Sequence, residues 1–291
     1  MNRRLLAACG AVVLVLGAIV LGAIVLVVTG TGRTTWSPRA DTPEPPAADL
    51  EAGDLPVPPF PPRIAEDERY DKCMTMIADD PEGAEAIATS WQVAGGGDAA
   101  THCQALAAIA TGEPEAGAKM LETLARGGKM TGLIRAVLLG QAAEARLMVD
   151  QAEPALKDTT EALAIAPDDA DLLINRANAY DSLGRSNEAI EDLNRALSQD
   201  PSRGDALVLR ASVWRRMDKL TEARSDIAKA LALDPEDAEA LLERGILREA
   251  MGDLAGARED WTHARAVDPN SEAAELAAQN LTLLDAGPDR K

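Results

Sequence analysis

Cys73, His102 and Cys103 are the residues whose types could do chemistry. A thiolate and imidazole set suits zinc or another soft metal. Three donors fall short of a closed four-ligand site, and no Cys-x-x-Cys or His-Glu-x-x-His spacing accompanies them. In an exported domain, two cysteines more commonly form a disulfide, which is the expectation for Cys73 and Cys103. Cys9 lies inside an apolar stretch and reads as a plain membrane residue. The other histidine, His263, stands apart from any cysteine, and no glycine-rich phosphate loop is present. The acidic side chains fall on helix faces and at helix starts, where solvation and the helix dipole account for them. The expectation is therefore no enzyme, no cofactor and no metal. The enzymatic alternative is a hydrolase or redox site in residues 64–135, and it requires a cleft with converging polar groups.

A second set of charged residues has regular spacing. Arg176, Arg210 and Arg244 recur every 34 residues, and Asp192, Asp226 and Asp260 each follow by 16. Because aspartate tracks arginine so regularly, the spacing predicts three ion pairs, within a unit or to the adjacent one, rather than arginines held ready for an acidic ligand.

Those charges ride on a repeat. Pro167, Pro201, Pro235 and Pro269 stand 34 residues apart, a period that signals stacked helical units. The units run 170–203, 204–237 and 238–271. Position 4 is Leu173, Leu207 and Leu241; position 8 is small, with Ala177, Ala211 and Gly245. Alanine holds position 20 (Ala189, Ala223, Ala257) and position 27 (Ala196, Ala230, Ala264), and position 24 is large (Leu193, Ile227, Trp261). Small residues let two helices approach, and large ones fill the remaining gaps. Proline at position 32 stops the second helix.

This pattern resembles the tetratricopeptide repeat (TPR), a 34-residue helix-turn-helix. Departures are leucine at position 4, where the family has tryptophan, and arginine at position 7. The resemblance implies an all-α, right-handed superhelix with a concave partner-binding face lined by positions 2, 5, 9 and 12. Position 5 gives an apolar row, Ile174, Val208 and Leu242. Position 2 gives an acidic row, Asp171, Asp205 and Glu239. Position 9 gives Asn178, Ser212 and Ile246, and position 12 gives Asp181, Arg215 and Glu249. Of the family's carboxylate clamp for chaperone C-termini only Asn178 matches, so that function is set aside. The implied partner is an extended or helical protein segment with apolar anchors and basic flanks. Successive first helices are neighbours in such a stack. With units beginning at 65 and 98, Cys73 and Cys103 fall at positions 9 and 6 of neighbouring first helices.

The remaining chain frames this array. Residues 1–29 are expected to be a single transmembrane anchor. Leu5–Val28 carries no charge and as a helix spans roughly 36 Å. Arg3 and Arg4 precede it and orient the rest outward, to the bacterial periplasm. Residues 30–63 hold nine of the 17 prolines and form an extended linker. Residues 64–135 read as degenerate helical repeats, 136–169 as a degenerate TPR, and 272–286 as a capping helix. The net charge of −19 disfavours nucleic acid, whose binding rests on basic side chains, and no nucleic-acid partner is expected. The leading expectation is a membrane-anchored adaptor or scaffold. The alternative is an assembly factor for an envelope process: cytochrome c maturation factors have a similar layout, although a haem-binding Cys-x-x-Cys-His is absent.

Overall fold

A computed structural model of the chain describes residues 64–287. The expected anchor, 1–29, and the whole of the expected linker, 30–63, lie outside these residues. Thirteen helices and no strand are present among them. The first six are α1 (Glu68–Asp79), α2 (Pro81–Val93), α3 (Gly97–Ala110), α4 (Pro114–Arg126), α5 (Gly132–Leu147) and α6 (Ala152–Leu163). The orthodox units supply α7 (Ala170–Ser182), α8 (Ser186–Gln199), α9 (Gly204–Arg216), α10 (Leu220–Leu233), α11 (Ala238–Ala250) and α12 (Leu254–Val267). The last is α13 (Glu272–Asp285). Each first helix packs on its own second helix, and α1, α5, α7, α9 and α11 also pack on the next first helix.

Local sequence sets the boundaries. Asp80 caps α2 by accepting from Gly83 N–H, with Pro81 at the first helical position. Glu113 stands at the same position before Pro114, but its side chain makes no capping bond. Asp169, Asp237 and Ser271 cap α7, α11 and α13. Helix α5 begins at Gly132 rather than at Ala136, so a boundary at 135/136 falls inside it. Left-handed Gly128 ends the preceding turn, and nothing between Thr131 and Ala136 forbids helix. The turns after α7, α9 and α11 each need one residue with positive φ, and Gly184, Asp218 and Gly252 supply it.

The core is a continuous layer running from Ala105 to Ala277, built largely of alanine and leucine. Its fit is reciprocal within a unit. Where position 24 is Trp261, position 8 is Gly245, and a Cβ added there would lie 2.3 Å from the indole nitrogen. Where position 24 is Leu193 or Ile227, position 8 is Ala177 or Ala211. Trp261 Nε1 also donates to Leu242 O at 3.2 Å.

All three repeated ion pairs form, each as a fork. Arg176 meets Asp192 at 2.6 and 2.7 Å, Arg210 meets Asp226 at 2.7 and 2.8 Å, and Arg244 meets Asp260 at 3.0 and 2.6 Å. The three aspartates are buried. A fourth buried aspartate, Asp158, holds the equivalent place in α6. Position 7 of that unit is Ala142, so its cations come from elsewhere. Arg126 of α4 donates to it at 2.6 Å, and Arg146 of α5 lies 3.5 Å away.

Candidate partner-binding groove

The first helices of successive units turn one face toward a common concave side. Two hollows open on it. One, of about 330 Å³, lies among α7, α9, α11 and α13 and is lined by Ile174, Asn178, Asp205, Val208, Ser212, Glu239 and Leu242. The other, of about 570 Å³, lies among α5, α7 and α9 and takes in Asp171, Ile174 and Asp205. Arg215 and Ile246 line neither.

Packing and charge pairs define these residues further. The apolar row forms the floor: Ile174, Val208 and Leu242 are only 9, 8 and 9% exposed. The first helix of the next unit packs close enough to cover most of each side chain. Arg215 is already engaged, with Nε donating to Glu243 Oε1 at 2.6 Å and Nη2 to Oε2 at 3.2 Å. Its neighbour Arg216 pairs with Asp181 of α7. Both guanidinium groups donate to the Ser212 hydroxyl. One end of the groove is thus tied across α7, α9 and α11 by charge pairs.

The acidic row lies at the opposite end. Arg203 bridges Asp171, at 2.7 Å, and Asp205, at 2.6 Å. Burial works against the Asp205 charge, but the Arg203 fork and the Ala206 N–H outweigh it and hold its pKa below the usual range. Glu239 goes the other way. Loss of solvent in the concave wall, then the charges of Asp237, Glu272 and Asp205, raise its pKa.

Sequence reasoning missed Leu209, Glu243, Glu272, Ala273 and Leu276, which complete the smaller hollow. The period held the signal. One more step of 34 begins a unit at Glu272, with Ala273 at position 2 and Leu276 at position 5. Helix α13 is therefore a groove wall as well as a cap.

Residues 68–126 form a continuous helix stack. His102 is buried and bonded at both ring nitrogens: the Tyr70 hydroxyl lies 2.9 Å from Nδ1 and Gln141 Oε1 lies 2.8 Å from Nε2. Nε2–H then donates to Gln141, and Nδ1 accepts from Tyr70, a neutral link across α1, α3 and α5. Burial lowers the His102 pKa, against a smaller upward effect of the Gln141 bond. Cys73 of α1 and Cys103 of α3 are fully buried, with Cα atoms 6.2 Å apart, inside the range a disulfide uses. The hollow in this region, lined by Arg69, Ala86, Ile87, Ser90, Trp91 and Ala94, brings together one charge and one hydroxyl. Among the described residues, no three His, Cys, Asp or Glu side chains are grouped to hold a metal.

A stack of helix hairpins with a lined concave face defines a helical-repeat protein of the solenoid class. Two tetratricopeptide-repeat family profiles match, over residues 144–214 and 208–274. The chain carries tetratricopeptide repeats. Among solved structures, a thermophilic TPR protein of Thermus thermophilus superposes with a TM-score of 0.55 at 19% identity, over 64% of this chain and 99% of its own. PilF of Pseudomonas aeruginosa superposes with a TM-score of 0.55 at 14% identity, over 72% and 96%. At these identities the likeness is one of fold. No protein of curated function matches.

Proposed function

We propose that this protein is an adaptor or scaffold held at a membrane by Leu5–Val28, which presents its repeats outside the cytoplasm and binds a segment of another protein on the concave face. TPR proteins are generally protein-interaction adaptors. The observation that carries the reading is the smaller hollow: a column of residues from four consecutive first helices, with an apolar floor and polar walls. Such a groove accepts an extended or helical peptide, with floor pockets for its side chains.

The membrane side of the proposal rests on the uncharged run Leu5–Val28 and the preceding Arg3 and Arg4. Among the described residues, no helix is long and apolar enough to cross a membrane. A Cys73–Cys103 disulfide suits an oxidising compartment. Alkaline phosphatase fused after residue 63 should be active in cells. An inactive fusion, or a mature protein that starts beyond Val28, contradicts the anchored, outward topology.

A further inference from the structure

The groove is not uniform along its length. Position 5 is almost fully covered in α7, α9 and α11. In α13 the same position is Leu276, and it is 40% exposed. The cause is geometric: each earlier first helix is overlaid by the next, and among the described residues none follows α13. The apolar row is thus accessible at its α13 end, at Leu276.

The charge there has one sign. The hollow is lined by Asp205, Glu239, Glu243 and Glu272, and by no lysine, arginine or histidine. Two of the four are neutralised from outside it, Glu243 by Arg215 and Asp205 by Arg203. Among the described residues, neither Glu239 nor Glu272 takes part in an ion pair, and neither makes a side-chain hydrogen bond. Capping does not explain Glu239 and Glu272, because Asp237 already caps α11 and Ser271 already caps α13. The upward pKa shift of Glu239 has the neighbouring carboxylates among its causes. Both lie in a first helical turn, where the dipole favours a carboxylate, but two acids without a basic partner at the mouth of an apolar pocket repel each other and disfavour an acidic ligand.

We infer that the cleft floored by Val208, Leu242 and Leu276 is built for a cationic, apolar-flanked segment of a partner protein. A lysine or arginine sits between Glu239 and Glu272, and its large apolar neighbours lie on the floor. This rests on the reading of the concave face as the partner site, and it adds the partner's chemistry and the part played by α13. The cation supplies the missing counter-charge, and the apolar neighbours cover Leu276.

The test uses the full-length chain and a displayed library of random dodecapeptides, with binding of the selected peptides measured by anisotropy at two salt concentrations. The expected enrichment is Lys or Arg beside Leu, Ile, Phe or Trp. Binding should weaken about tenfold or more in Glu239→Gln/Glu272→Gln and fall as salt rises. Both acids are exposed, so the variant should keep its helicity and melting temperature. Glu239→Lys/Glu272→Lys should instead select acidic peptides. Selection of neutral or acidic peptides that lose binding with Leu276→Ser but not with the glutamine variant overturns the cationic chemistry and leaves the groove reading standing. Peptides indifferent to all of these changes, or no enrichment, overturn both.

Discussion

Arg210 and Asp226 meet fork to carboxylate across the two helices of one unit, Nε to Oδ2 at 2.7 Å and Nη2 to Oδ1 at 2.8 Å. Arg210 also donates to Asn194 of the preceding unit at 2.8 Å. The aspartate is buried and the arginine nearly so. Removing one partner strands the other's charge, which costs more than the pair itself contributes. Asp226→Ala should therefore destabilise by roughly 3 kcal/mol, read as a clear fall in the melting temperature. An unchanged melting temperature would show that the charges act independently.

Gly245 faces Trp261 with no room for a methyl group. Gly245→Ala should cost about 1–3 kcal/mol by overpacking. The first unit shows the cure, since Ala177 there faces Leu193. Adding Trp261→Leu to Gly245→Ala should recover part of the loss, a coupling that a double-mutant cycle measures by chemical denaturation. Strict additivity of the two changes would refute the reciprocal fit.

Asp158 gives the array a pH dependence. Burial, then the charge of Glu122 and its bond, raise the Asp158 pKa from 3.8 to about 6, against Arg126. The folded state then holds a proton between about pH 4 and 6 that the unfolded state has released. Its stabilising contribution is complete below pH 4 and is lost as pH rises through 6. Compared with Asp158→Asn, the wild-type protein should lose on the order of 2 kcal/mol between pH 4 and 7. Parallel stability curves for the two proteins over that range would contradict the shift.

The cysteines should pair. Thiol titration of the denatured, unreduced full-length protein should find one free thiol, that of Cys9. Reduction should lower stability by roughly 3–4 kcal/mol for a loop of this size, given the sequence separation of 30. Three free thiols would show Cys73 and Cys103 to be separate buried residues.

What was legible in the sequence was local or strictly periodic. The prolines at 167, 201, 235 and 269 mark the ends of second helices, and the 16-residue offset from Arg176 to Asp192 marks that ion pair, though not its fork geometry. Pairings that cross units at unequal positions were not legible. Arg215 reaches Glu243, position 12 to position 6, and Arg126 reaches Asp158 because Ala142 leaves position 7 without a cation. Groove depth was equally hidden. Burial of Val208 and Leu242 depends on how closely successive first helices approach, which small residues permit but no single position declares. The role of α13 was legible in principle, since Leu276 follows Leu242 by one period, but counting units only to residue 271 conceals it.

Site-specific photo-crosslinking in native membranes addresses the central claim most directly. A benzophenone side chain would replace either Leu276, in the groove, or Leu233 of α10, which is also exposed and lies on a second helix. A partner bound on the concave face gives a discrete partner-sized adduct from position 276, lost when Glu239 and Glu272 are both changed to lysine, and none from position 233. An adduct from position 233 alone would place the partner on the convex face and contradict the concave groove as the binding site.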